Sequence, residues 1–190
     1  MNLRKWKKLD LSSRARIAPT CATFALLLLV VCGCAPVPKV PPVIRVPAEQ
    51  KVVLHAYAKG VQIYVCEKSS TDSGNFAWKL KAPEATLFEV CGSVVGSHYS
   101  GPTWEYDPDG SKVEGKELQR IDSPLPSAIP WLLVKAKSTG GPGRFHNVTY
   151  IQRVNTAGGL PPAAVPDKTQ WGKEVRVPYT AEYVFYRATH

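Results

Sequence analysis

The sequence predicts an all-β chain, a single-domain antiparallel sandwich or barrel with few short helical turns. Two observations lead there. From Lys51 onward, apolar and polar residues alternate in short runs rich in Val, Ile and Tyr, the two-residue period of strands whose faces meet different surroundings. Gly, Pro, Asp or Asn separates most of these runs, and 17 Pro and 14 Gly stand against a single Met, a composition of many turns and few long helices. At 190 residues the chain is long enough for one well-buried core and too short for two comfortable ones.

The N-terminus reads as an export signal. A basic segment, Met1 to Arg16, leads into the apolar run Ala22 to Val31, which ends at Cys32-Gly33-Cys34-Ala35-Pro36: positive flank, apolar centre, small residues at the cut. The run falls short of the roughly 20 residues that span a bilayer. Its ending, V-C-G-C, resembles the bacterial lipoprotein box, in which a small residue precedes a Cys that is acylated, with palmitate among its chains, and becomes the mature N-terminus. Gly33 before Cys34 fits this, whereas Val31 before Cys32 is too bulky, so Cys34 is the expected lipidation residue. The resulting divisions are a signal peptide over 1–33, a lipidated Cys with a Pro-rich spacer over 34–47, and one β-rich domain over 48–190. The expected address is a lipid anchor on the cell membrane or outer membrane, with the domain facing the periplasm or exterior.

The formal charge of +9 is placed accordingly. Six basic residues against Asp10 put +5 of it before residue 34, leaving +4 spread without a basic run. No Lys/Arg stripe interleaved with aromatics remains to follow a phosphate backbone, which disfavours a nucleic-acid partner. The segment Ala35 to Pro47 carries five prolines in thirteen residues. Proline fixes φ and lacks an N–H, so this composition favours an extended, semi-rigid spacer holding a domain off a membrane surface.

The strands follow in order. Val52 to Ala58 and Val61 to Glu67, separated by Lys59-Gly60, read as a hairpin. Asn75 to Lys81, Thr86 to Gly92, Ser93 to Tyr99, Thr103 to Tyr106, Trp131 to Ser138, Arg144 to Asn155, Lys173 to Tyr179 and Ala181 to Arg187 continue the series. Short helical turns are expected near Pro83-Glu84-Ala85 and Lys116 to Ile121. Of the five cysteines, Cys21 and Cys32 leave with the signal and Cys34 takes lipid, so Cys66 and Cys91 remain in an oxidising compartment. A Cys66–Cys91 bridge is expected, closing a loop of about 25 residues and contributing about 3 kcal/mol.

Candidate chemistry concentrates between Gly96 and Gly115. His98 can serve as a general base or as a hydrogen-bonding group of a pocket, since its pKa is tunable around neutrality. Tyr99, Trp104, Tyr106 and Trp131 offer stacking faces for a sugar, although the I-P-W-L-L run assigns Trp131 to the core first. Glu105 with Asp109 or Glu114 could form a glycosidase-like pair. A metal site from His98, Glu105, Asp107 and Asp109 is the weaker reading, because D-P-D-G-S is what a turn wants: Pro sets φ, Gly takes positive φ and Asp caps the backbone. No metal and no cofactor is expected. The motifs of nucleophile elbows, zinc hydrolases, phosphate loops and dinucleotide folds are all absent. A second polar cluster, Tyr150, Gln152, Arg153 and Asn155, alternates so that Tyr150 and Gln152 share one strand face and Arg153 and Asn155 the other. The binding candidates are therefore His98, Tyr99, Trp104, Glu105, Gln152 and Arg153.

The blocks V-P-A (46–48), G-V-Q-I-Y-V-C (60–66), A-P-E-A-T-L (82–87), G-S-H-Y-S-G-P-T-W-E (96–105), D-G-S-K-V (109–113), I-P-W-L-L (129–133), V-T-Y-I-Q-R-V-N-T-A-G-G (148–159) and V-P-Y-T-A-E-Y-V-F-Y (177–186) resemble, in order, those of domain-of-unknown-function family 3455. The resemblance spans Val46 to Tyr186. It implies an exported single-domain protein with no established activity. It also implies a second Cys between the Gly-Gly and V-P-Y blocks, but this chain has none after Cys91, so no such disulfide carries over.

Two functional expectations follow. One is a membrane-tethered, non-enzymatic envelope domain that binds an unidentified small molecule, glycan or protein. The other is an envelope hydrolase using His98 and a nearby carboxylate. An enzyme requires His98 and that carboxylate to converge in one pocket.

Overall fold

The period-two runs become eight antiparallel strands that close into a barrel: β1 (Gln50–Lys68), β2 (Phe76–Phe88), β3 (Val94–Tyr99), β4 (Thr103–Tyr106), β5 (Ser111–Ile121), β6 (Trp131–Gly140), β7 (Val148–Gly158) and β8 (Glu174–Ala188). The structure, a computed structural model, describes residues 36–69 and 75–189. The signal segment and Cys34 lie outside the described residues. Each strand pairs with the next along part of its length, and β8 returns to β1, so the sheet closes on itself. Of the two expected architectures, the barrel is the one formed. A barrel of this strand number has an interior that side chains can fill or that can hold one small ligand.

Several expected boundaries merge. Lys59-Gly60 is no hairpin turn but the middle of the 19-residue β1, paired to β2 on one side and β8 on the other. Gly60 is there for close approach: a Cβ on it would lie 2.1 Å from the Glu84 carbonyl oxygen. β2 likewise runs through Pro83, where a helical turn was expected. That proline is tolerated because β2 pairs with β3 only from Ala85 onward, leaving the Pro83 position an edge on that side. The second expected helical turn, Lys116 to Ile121, is part of β5, and the separate runs around Pro178 are the single strand β8. Among the described residues the helical turns are short 3₁₀ segments at Pro42–Ile44 and Lys168–Gln170, the latter begun by a capping box on Asp167.

The barrel interior holds the main core. Leu54, Ala56, Ala58, Leu87, Trp104, Val113, Val134, Ile151, Tyr183 and Phe185 all point inward. One end is closed by Phe145, fully buried in the β6–β7 connection and stacked on Phe185 at 4.5 Å between centroids. Arg144 seals this end from outside, donating to the Val53 carbonyl oxygen and lying over the Tyr106 ring. The β4–β5 connection forms the expected turn, with Gly110 at φ 68° and the Asp109 carboxylate accepting from the Ser111 and Arg144 amides.

A second apolar cluster lies on the outer wall. Trp131 and Leu133 of β6 and Val154 of β7 pack around Ile44, with Val40, Val46, Ile121 and Tyr150 at the margin. The Pro-rich segment is thus docked on the barrel from Val40 to Val46 rather than standing free as a spacer. Burying Ile44 completely stabilises that docking by about 2–3 kcal/mol.

The expected Cys66–Cys91 bridge is not formed, and Cys66 is a free, buried thiol. The hairpin explains this. Tyr57 pairs with Phe88, so Cys91, just past Phe88, lies at the Tyr57 end of β1, while Cys66 faces Trp78. Nine strand residues between 57 and 66 span about 30 Å, far beyond the roughly 7 Å that a disulfide tolerates between Cα atoms.

Candidate functional site

Opposite the end sealed by Phe145, the barrel interior opens into a cavity of about 170 Å³. Its wall takes Gln62 from β1, Leu80 and Pro83 from β2, His98 from β3, Trp104 from β4, Leu132 and Val134 from β6, Arg153 from β7 and Tyr183 from β8. Pro102 in the β3–β4 turn and the Glu117–Arg120 ion pair, at 2.9 Å, stand at its rim.

His98 and Trp104 face each other across the β3–β4 ladder, so both rings point inward and stack at 4.2 Å with only 4° between planes. The edge of Tyr183 meets both rings. His98 is 3 % exposed, and its Nδ1 lies 2.8 Å from the Thr103 carbonyl oxygen. A carbonyl can only accept, so Nδ1 carries the proton and Nε2 is left as an acceptor. Burial lowers the His98 pKa to about 3 despite that hydrogen bond, with the positive charge of Arg153 adding to the shift. The ring is therefore neutral at physiological pH, and too weakly basic to serve as an efficient general base there.

Arg153 is the interior cation. Its Nε and Nη2 both donate to the Pro130 carbonyl oxygen, at 3.2 and 2.9 Å, which fixes the guanidinium in place. Among the described residues no carboxylate pairs with it. Burial raises the Tyr183 and Tyr179 hydroxyl pKa values, and Arg153 opposes both shifts, which shows how far its charge reaches along the interior.

Three polar atoms in this wall are buried without a hydrogen-bond partner: Gln62 Nε2, Trp104 Nε1 and the Tyr183 hydroxyl. Buried polar groups are nearly always paired, because leaving one unpaired costs about 1–3 kcal/mol. Here several of them converge on one cavity. A larger, shallower depression of about 490 Å³, between Tyr57, Phe88, Val90 and Glu182, has no such atom in its lining.

The remaining sequence candidates lie elsewhere. Tyr99 and Glu105 are on the outer wall, where the Tyr99 hydroxyl donates to Glu105 Oε2 at 2.9 Å and Lys112 Nζ pairs with the same oxygen at 3.0 Å. Those contacts hold the Glu105 carboxyl below the usual range, Lys112 contributing most. His98 and Glu105 are thus on opposite faces of the sheet and cannot share one substrate. Gln152 is also outward, donating to the Ile44 carbonyl oxygen at 2.6 Å and accepting from the Tyr186 hydroxyl. It fastens the N-terminal segment. Tyr150 shares the outer face with Gln152, as alternation required. Asn155 does not share a face with Arg153: its φ of 48° in a β-bulge turns it outward onto Glu182.

The His–carboxylate pair that does form is His55 with Glu182, at 2.8 Å on the outer wall. His55 Nδ1 is buried without a partner, so no described hydroxyl or thiol stands where a nucleophile would be. No group of three or more potential metal ligands occurs among the described residues.

Gln62 and Tyr183 were missed in the sequence. The signal was present as phase: Gln62 continues the inward series Leu54, Ala56, Ala58, and Tyr183 continues Tyr179 and Ala181. A polar side chain on an otherwise apolar phase marks an interior position that needs a partner.

Comparison with curated proteins finds no match, and neither does comparison with solved structures. A family model described as "Protein of unknown function (DUF3455)" matches residues 47–187, from the end of the Pro-rich segment to the last residues of β8. With most of its length matched, the chain belongs to the DUF3455 family of proteins of unknown function.

Proposed function

We propose that this protein is a non-enzymatic binding barrel of the cell envelope, tethered by a lipid on Cys34 and taking a small molecule into the open end of its barrel. The observation that carries the binding half is the convergence of Gln62 Nε2, Trp104 Nε1 and the Tyr183 hydroxyl, unpartnered, on a cavity that also holds Arg153. Support for the non-enzymatic half comes from the same wall: its imidazole is neutral and weakly basic, and the Glu105 carboxylate is on the other face. Support for the tether is the order of basic segment, apolar run and Gly33-Cys34, followed by a segment that reaches the barrel and docks at Ile44.

Thermal shift of the purified full chain against a metabolite and saccharide panel tests the binding reading. A stabilising compound should lose its effect in Tyr183→Phe and keep it in Glu105→Gln. A ligand that depends on Glu105 and not on Tyr183 would place the site on the outer wall and overturn the reading. For the tether, Cys34→Ser should move the protein from the detergent phase to the aqueous phase of a partition assay. Retention in the detergent phase would refute acylation at that residue.

A further inference from the structure

The unpartnered atoms of the cavity differ from a generic polar lining in one respect, which is their direction. Trp104 Nε1 and Gln62 Nε2 can only donate, and so can a guanidinium. Arg153 is locked by the Pro130 carbonyl, carries a full charge, and has no carboxylate partner among the described residues. The Tyr183 hydroxyl, also unpartnered, can donate as well. The only carboxylate in the wall is Glu117 at the rim, and Arg120 neutralises it at 2.9 Å. The inner surface thus offers mainly donors and positive charge to a guest, set against the His98 Nε2 acceptor, and asks chiefly for acceptors and negative charge in return.

The rest of the wall limits what carries that charge. Leu80, Pro83, Pro102, Leu132 and Val134 are apolar, and a volume of about 170 Å³ equals about five or six waters at roughly 30 Å³ each. From this geometry we infer that the guest is a small monocarboxylate, its carboxylate held among Arg153, Trp104, Gln62 and Tyr183 and its short apolar body turned toward Leu80 and the prolines. A planar carboxylate suits a planar guanidinium and accepts from several donors at once. A hydrated divalent oxyanion matches the same charge but not the apolar outer half. This assignment rests on the binding reading above and adds the chemical class.

The test uses the purified full chain with three probes of similar size: butanoate, its neutral isostere butyramide, and inorganic phosphate. Titration calorimetry should show saturable binding of butanoate and none of butyramide. Tyr183→Phe, which removes one donor and keeps the ring, and Trp104→Phe, which exchanges the indole and its Nε1 for a smaller phenyl ring, should each weaken butanoate about tenfold or more. Tyr183→Phe keeps the ring that packs against His98 and Trp104, and its ligand-free melting temperature, measured beside that of the wild type, separates loss of binding from loss of folding, which keeps the test readable if Arg153→Gln fails to fold. Butyramide or phosphate binding as tightly as butanoate overturns the carboxylate assignment and leaves the binding barrel standing. Butanoate affinity indifferent to both ring variants overturns the location. No binding by any of the three probes, nor by the wider panel, overturns the assignment and the binding barrel together.

Discussion

His98 and Trp104 lie ring on ring at 4.2 Å, paired across β3 and β4, with the imidazole Nδ1 proton given to the Thr103 carbonyl two positions before Glu105. That arrangement makes His98 a structural member of the barrel wall, and it makes protonation of the ring costly. The unfolded chain binds a proton at this His near pH 6.5, the folded chain only near pH 3. Between those values the unfolded state holds the extra proton, so stability falls as pH falls, and above pH 6.5 this contribution is complete and flat. The expected slope is up to about 1.4 kcal/mol per pH unit. Denaturant titrations of wild type and His98→Gln from pH 7 to pH 4 should differ by that slope. Parallel pH profiles would show that His98 is not held neutral.

Ile44 docks the N-terminal segment on the outer wall against Trp131, Leu133 and Val154. Ile44→Ala should cost about 2–4 kcal/mol of stability, because a fully buried side chain leaves a cavity that the barrel wall cannot close. Equilibrium unfolding in urea measures it. A cost within experimental error of zero would mean that the segment lies loosely on the barrel.

Gly60 sits where β1 passes β2 with no room for a side chain, 2.1 Å from the Glu84 carbonyl oxygen if a Cβ were added. Gly60→Ala should therefore destabilise by about 1–3 kcal/mol through displaced backbone. Thermal unfolding reads the change directly. Were β1 to turn at Lys59-Gly60 as a hairpin, the substitution would be far milder.

Cys66 is buried and unbridged, its Sγ turned toward the Asp167 carbonyl oxygen at 3.9 Å. Burial pushes its thiol pKa up, and the Asp167 carboxylate adds to that, so the reactive thiolate is scarce. Peptide mapping after iodoacetamide treatment should find Cys66 unmodified in native protein and fully modified after denaturation without reductant. Failure to label the denatured protein would show a disulfide at Cys66.

Alternation from Lys51 onward was enough to place most strands and to tell inward from outward, because a strand half-buried on one side must repeat its chemistry every two residues. Side-chain type and local context singled out His98, Trp104 and Arg153 as candidates, turn chemistry identified D-P-D-G-S as a turn, and the ordered blocks were sufficient for the family. Where a strand bends, local signals misled: Lys59-Gly60, Pro83 and Pro178 look like turn residues, yet lie inside long strands that curve around a barrel. The same local view grouped Glu105 with His98, which one residue of phase separates by the thickness of the sheet.

What only the tertiary structure decided is which distant residues meet. Gln62, Trp104, Arg153 and Tyr183 come from β1, β4, β7 and β8, and they converge because the ring closes through the β1–β8 pairing at one particular register. A shift of one residue in that register would exchange the inner and outer faces of a strand, sending Tyr183 outside and Val184 in. Period and composition set the faces of each strand; closure and register, which depend on pairings more than a hundred residues apart, set the site.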